Sequence, residues 1–407
     1  MSYDTDILIV GGGLNGPALA LALASTGQRV TVVDALPRDT RAEAGFDGRA
    51  YALALASIRV LDGIGLWSHV AEHAQPMLKI VASDGRAGEG AAPFFLAFDH
   101  AEIEEGPMGH MLEDRFLRPA LLQAMDAAGI AQLSGETVVS QSVDDRAATV
   151  QLASGRSLRA RLLVGCDGRD SGTATRAGIR RTGWDYGQTG LVCAVEHELP
   201  HEGTAHQFFM PAGPLAILPL PGNRSSIVWS ETTSRAAEIH ALDDAAYLEV
   251  LRPRFGDFLG KISLAGKRHA YPLKLTIANR FIAPRLALVG DAAHGMHPIA
   301  GQGFNFGLRD IAALAEVIAE AARRGEDIAS PLVLERYQQW RRFDTMLMAV
   351  GTDSVNKLFS NDNPVLRSIR DIGLGVVNAV PGLRRASIRE AAGLTGDLPR
   401  LMRGLPI

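Results

Sequence analysis

At 407 residues the chain exceeds what one hydrophobic core supports, so two or three packed units are expected. Apolar residues make up 47% and charged residues 21%, a globular balance that excludes a disordered chain; at a net charge of −4, with its arginines spread out, no nucleic-acid partner is expected. The two cysteines, Cys166 and Cys193, are too few for a disulfide framework and fit a reducing cytosol.

Met1–Asp4 is acidic and the first apolar run, Ile7–Val10, is short, so the N-terminus reads as a fold element and not as a targeting segment. No window reaches the ~18 uninterrupted apolar residues of a membrane span. Asp6–Val10 reads as a buried parallel strand, broken by Gly11-Gly12-Gly13. Pro17–Ser25 is Ala/Leu-rich and predicts a helix that Gly27 ends, and β-branched Arg29–Asp34 predicts a second strand. Gly11-x-Gly13-x-x-Gly16 thus follows a strand and opens a helix, the context of a dinucleotide fingerprint. Gly11 permits the tight turn, Gly13 lets the backbone approach a pyrophosphate, and Gly16 lets helix and strand pack closely. The helix N-terminus offers free N–H groups to phosphates, and Asp34 ends the second strand, where a carboxylate binds ribose hydroxyls. The chain carries one such fingerprint, so one nucleotide has a dedicated site and any second binds elsewhere.

Leu162–Val164 predicts another buried strand, running through Gly165 and Cys166 into an Asp167-Gly168 turn. Short strand-like runs from about Leu191 to Ser230, such as Gln207–Met210 and Ser226–Trp229, are punctuated by Gly and Pro and suggest a mostly antiparallel sheet. Arg285–Val289 returns to buried-strand texture and ends in Gly290-Asp291, which puts a carboxylate at the sheet edge where α/β folds bind ligands. Gly301 and Gly303 open a helical pattern over about Gln302–Arg324 whose positive end suits an anionic ring. Adjacency of His294 and His297 to Asp291 is poor evidence for a metal, and none is expected. The remainder is Arg-rich and reads as helices broken by Pro364, Pro381 and Pro399. The nucleotide-binding unit therefore reads as split, with a sheet domain inserted.

Taken in order, these elements resemble the group A aromatic flavin monooxygenases, the p-hydroxybenzoate hydroxylase-like enzymes, and most nearly their ubiquinone-biosynthesis hydroxylase subfamily. Asp47-Gly48-Arg49-Ala50-Tyr51-Ala52-Leu53 is similar to its Asp-x-Arg-x-x-Ala-Leu segment, and Gly290–Asp310 to its His-Pro-x-x-Gly-Gln-Gly-x-Asn-x-Gly-x-x-Asp signature. Gly213–Leu220 and Val228-Trp229 match its sheet domain. The resemblance implies an α/β fold: a Rossmann-like FAD-binding domain over 1–75, 106–180 and 275–330, a mostly antiparallel β-sheet substrate domain over 76–105 and 181–274, and a helical C-terminal region over 331–407.

It further implies FAD as cofactor, NADH or NADPH as co-substrate, and O2 as oxidant. The reaction would hydroxylate an aromatic ring, a polyprenylated phenol of ubiquinone biosynthesis in the first instance, through a flavin C4a-hydroperoxide. An FAD hydroxylase of another phenolic or secondary-metabolite ring, or a non-catalytic flavoprotein subunit of a quinone-biosynthesis complex, stays open. By position, Gly11, Gly13, Gly16 and Asp34 would hold the adenosine half of FAD, and Arg49 and Arg115 would lie along the cofactor. Asp167 would serve FAD and NAD(P)H, and Gly290-Asp291 the ribityl chain. Gly301, Gly303 and the backbone N–H groups of Phe304 and Asn305 would face the flavin, and Pro298 would border the substrate beside the ring. One departure stands out: the family's Asp-Gly-x-x-Ser-x-x-Arg has Ala174 at the arginine position, with Arg176 two residues later.

A lipid-tailed substrate needs a route from the membrane. Leu366–Leu401 interleaves Arg367, Arg370, Arg384, Arg385, Arg389 and Arg400 with apolar residues, and this pattern fits either core packing or a peripheral, salt-sensitive contact with the inner membrane or a lipid-binding partner.

Overall fold

Ile7, Leu8 and Ile9 have no solvent-accessible surface, and each such aliphatic contributes about 1.5–3 kcal/mol on burial. They lie on β1 (Thr5–Val10), the centre of an eight-stranded sheet in the computed structural model, which describes residues 2–43, 45–88, 90–296, 302–359 and 375–407. Helix α1 (Asn15–Ala24) crosses over to β2 (Val30–Asp34), parallel to β1. The chain then forms α2 (Arg38–Arg41), β3 (Ala50–Ala54), α3 (Leu55–Gly63), β4 (Gln75–Met77), β5 (Lys79–Arg86), β6 (Gly90–Asp99), β7 (Gly109–Glu113) and α4 (Asp114–Ala127). Strands β3, β7 and β4 make a small antiparallel sheet of their own.

The chain returns to the first sheet with β8 (Ala131–Ser134), β9 (Val138–Val143), β10 (Ala148–Leu152) and β11 (Ser157–Gly165), then turns into α5 (Gly172–Arg176). A second eight-stranded sheet takes β12 (Arg181–His197), β13 (Thr204–Met210), β14 (Gly213–Leu220) and β15 (Arg224–Thr232). Helices α6 (Thr233–His240) and α7 (Asp244–Phe255) cover one face of it around the buried Trp229 and Tyr247, and β16 (Ile262–Ala278) pairs with β12. All its pairings are antiparallel except β13 with β5. The antiparallel texture expected of the middle of the chain is therefore present.

β17 (Ile282–Ala283) and β18 (Leu286–Leu288) rejoin the first sheet, and β19 (His294–Gly295) adds to the second. α8 (Gln302–Arg323) is the helix that the pattern after Gly301 predicts. α9 (Pro331–Phe359) runs 29 residues, and Pro381 opens α10 (Pro381–Ala391) at its first turn, where its missing N–H costs nothing. Pro364 lies outside the described residues.

What positions the site is register. β11 pairs in parallel with both β1 and β18, matching Gly165 to Val10 on one side and to Leu288 on the other. The Gly11 loop, the Asp167-Gly168 turn and the Gly290-Asp291 turn therefore leave the carboxyl ends of three adjacent strands side by side.

Candidate functional site

The first loop is shaped by contacts that only glycine allows. Gly11 has φ +108°, and a Cβ there would overlap the Cys166 carbonyl. A Cβ on Gly16 would overlap the Gly11 carbonyl, whereas the Cα of Gly13 faces open space. Asp34 accepts the Gly12 N–H on one carboxylate oxygen and the Leu36 N–H, at 2.8 Å, on the other. Behind it Arg41, 3% exposed, donates to the Gly12 carbonyl at 3.0 Å and to the Ser134 hydroxyl, with its Nε 3.8 Å from Asp34. Burial lowers the Arg41 pKa while the Asp34 charge opposes that shift. Gly11, Gly13, Asp34, Asp167, Thr137 and Arg176 are among the residues that line one cavity of about 430 Å³.

The second junction is at Asn15. Its amide sits against both Gly290, at φ +64°, and Gly307 of α8, so a Cβ at either glycine would collide with it. The glycine loop, the Gly-Asp turn and α8 thus close on one side chain, whose buried Oδ1 has no hydrogen-bond partner among the described residues. From the other side the Gly290 N–H donates to Asp310 at 2.9 Å. Asp310 is fully buried and also meets His294 Nε2 at 2.6 Å and Arg341 Nε at 2.7 Å. Burial alone would raise its pKa, but the charges and hydrogen bonds of His294 and Arg341 more than offset that and hold it below the usual carboxylate range. Asp291, one residue from Gly290, is instead open, and its nearest cation is Arg169 at 3.2 Å.

Residues 4–348 match the model of a family described as "FAD binding domain". A ubiquinone hydroxylase of Rhodospirillum rubrum is 46% identical over 99% of this chain and 93% of its own length. The 3-demethoxyubiquinol 3-hydroxylase of Escherichia coli is 36% identical over 97% of this chain and 100% of its own. The chain belongs to this family of FAD-dependent hydroxylases. It is an FAD-dependent aromatic-ring monooxygenase. The crystal structure of p-nitrophenol 4-monooxygenase from Pseudomonas putida shares the fold at TM-score 0.80 and 21% identity, covering 97% of this chain and 99% of that one.

The residues present fit the cofactor of the family. A dinucleotide would need backbone approach, a carboxylate for the ribose and room to lie, and the open Cα face of Gly13, the Asp34 carboxylate and a cavity of about 430 Å³ stand together here. The structure places the expected residues unevenly. Gly11, Gly13, Asp34 and Asp167 line the cavity, and Gly16 packs beneath it. Asp167 also accepts from the Ser171 hydroxyl and, at 2.9 Å, from the Thr173 N–H, so its carboxylate closes the turn into α5.

Arg49 pairs with Asp47 at 2.7 Å and with Asp114 at 3.3 Å, where Tyr51 and Arg118 also converge. The Nε of Arg115 binds the buried Glu113 at 2.6 Å and its guanidinium lies over the Phe46 ring, with Arg224 on the other Glu113 oxygen. Gly303 faces open space, Phe304 is buried near the Tyr51 ring, and the Asn305 side chain bridges the Ala54 N–H and the Ala52 carbonyl at 2.9 and 2.8 Å, pinning α8 to β3. Pro298 and Gly301, and His297 of the weighed metal cluster, lie outside the described residues. His294 is taken up by Asp310.

Asn15, Arg41, Asp310 and Arg341 are the structural partners that sequence reasoning assigned no role. Gly307 was the available signal, since a glycine inside a strongly helical pattern marks a close approach.

Proposed function

We propose that this enzyme hydroxylates the aromatic ring of a polyprenylated precursor of ubiquinone, using NAD(P)H and O2. The observation that carries the reading is the near full-length likeness to a ubiquinone hydroxylase, at 46% identity over 99% of this chain. FAD, when bound, supplies hydride acceptance and oxygen activation. The chain's own residues then bind, orient and exclude water. Asp34 and the Gly11 loop take the adenosine half, and Asp291 takes ribityl hydroxyls. The first N–H groups of α8, with Gly301, Gly303, Phe304 and Asn305, face developing negative charge on the ring, and Pro298 is assigned beside the substrate. An apolar cluster of Leu275, Met296, Phe306 and Ala349, with Met348 and Tyr186 packed against it, adjoins α8 and keeps water from that side of the helix. The division into FAD-binding segments 1–75, 106–180 and 275–330, a sheet domain and a helical tail from 331 is part of the same reading.

Lipid extracts from a deletion strain of the source organism test it. Accumulation of an under-hydroxylated polyprenyl phenol is expected; an unchanged quinone profile overturns the substrate and favours another phenolic ring.

Contact with the membrane completes the reading, and α9 offers a surface for it besides the C-terminal arginines. Arg384 and Arg389 are held by Glu102 at 2.9 Å and Glu105 at 2.7 Å, and Arg367 and Arg370 lie outside the described residues. Helix α9 instead exposes Phe343, Met346, Leu347 and Val350, at 76, 45, 63 and 60%. Their spacing makes one stripe, beside Arg342 and on the helix that carries Met348 and Ala349 to the apolar cluster. Among the described residues no helix is long and apolar enough to cross a membrane. Wild-type protein is expected to co-sediment with anionic vesicles, and Phe343→Ser with Leu347→Ser to abolish it. Equal sedimentation of the double variant removes α9 from the interface.

A further inference from the structure

The departure at position 174 has a structural answer. Ala174 is fully buried in α5 and has no room for an arginine. Arg176, two residues on, lines the same cavity as Gly13 and Asp34. Gln141 on β9 fixes it in place: the amide nitrogen donates to the Thr173 carbonyl at 3.1 Å, and the amide oxygen accepts from Arg176 Nε at 3.1 Å. Among the described residues neither Nη atom finds a hydrogen-bond partner, and Asp167, the carboxylate whose charge reaches it, is already engaged with Ser171 and the Thr173 N–H. Leu36, Thr137 and Val138 line the same cavity, together with the carboxylates Asp34, Glu136 and Asp167. A flat cation held by its Nε, with spare donors on a cavity wall, is suited to the face and edge of a heteroaromatic base.

We propose that Arg176 binds the adenosine half of FAD, stacking its guanidinium on the adenine, and does not serve the nicotinamide nucleotide. The proposal rests on the FAD assignment. It predicts that the motif's arginine function has moved two residues along the chain and onto the flavin side of the site.

The test uses the full chain stripped of FAD, with ADP as probe, in titration calorimetry. Arg176→Ala is expected to weaken ADP and FAD about tenfold, as loss of one desolvated cation–π contact would. Arg176→Lys, which keeps the charge and loses the flat face, is expected to lose at least threefold, and it carries the test if the alanine variant fails to fold. KM for NAD(P)H, measured on FAD-saturated variants, is expected to stay within twofold of wild type. ADP affinity unchanged in both variants overturns the proposal, as does a rise in KM for NAD(P)H with ADP binding intact. Wild-type protein that takes up neither FAD nor ADP would instead sink the cofactor assignment itself.

Discussion

Asp291 and Asp310 flank one turn, and the protein treats them in opposite ways. Asp310 is sealed, with donors from Gly290, His294 and Arg341 on its two oxygens. Asp291 is about a third exposed and meets one partly exposed arginine. A buried carboxylate without donors would cost several kcal/mol, so saturation on that side is a requirement of folding. The open side is under no such constraint, and its unsatisfied lone pairs are what a hydroxylated ligand chain can use. The difference separates charges that build the turn from charges that the turn presents.

Breaking the sealed side should produce the largest effect. Asp310→Ala leaves Arg341 buried with its Asp310 contact gone, and a loss of about 3–5 kcal/mol is expected in denaturant unfolding of the protein stripped of FAD. The same carboxylate gives a pH signature. Its folded pKa is depressed, so its stabilisation is present above the unfolded value near 3.8 and is lost as pH falls below that. Asp310→Asn should therefore flatten the acid limb of the stability curve; an unchanged limb would show that other carboxylates set it. The open side should respond in ligand affinity instead. Asp291→Ala is expected to leave unfolding of the stripped protein within ~0.5 kcal/mol of wild type and to raise the FAD dissociation constant ten- to a hundredfold, read by quenching of flavin fluorescence. A large stability loss in Asp291→Ala would erase the distinction.

The same contrast explains what could be read from sequence. The glycine loop, Asp34 and the order of the three strand-end motifs were legible, because each is a local pattern with a local reason. The β-sheet texture of the middle segment was legible through its Gly and Pro spacing. The ties between motifs were not. Asn15 touching Gly290 and Gly307, and Arg341 reaching Asp310 from α9, depend on parallel register between strands more than a hundred residues apart. Arg115 shows the converse. Position suggested a residue along the cofactor and gave no sign that Glu113, two residues before it, is a fully buried carboxylate that binds it. Basic spacing near the C-terminus likewise carried no sign that Glu102 and Glu105 would meet Arg384 and Arg389.

Two glycines one turn apart on α8 give the finest form of the comparison. Gly307 is boxed by the Asn15 amide, which Gly290 confines from the other side, so the amide has little freedom to withdraw. Gly307→Ala should destabilise by about 1–2 kcal/mol, and adding Asn15→Ala should recover most of it, because contacting residues couple by 0.5 kcal/mol or more. Gly303 faces open space at the start of the same helix. With no clash, Gly303→Ala should gain helix propensity, and the protein stripped of FAD should be more stable by about 0.5–1 kcal/mol. If that open space is where the flavin ring lies, the added methyl must also weaken FAD binding, by a few-fold, in the same variant. Stability up and affinity down at Gly303, against stability down and rescued at Gly307, is the expected pair. A Gly303→Ala protein that is stabilised and binds FAD as wild type does would move the flavin away from the first turn of α8.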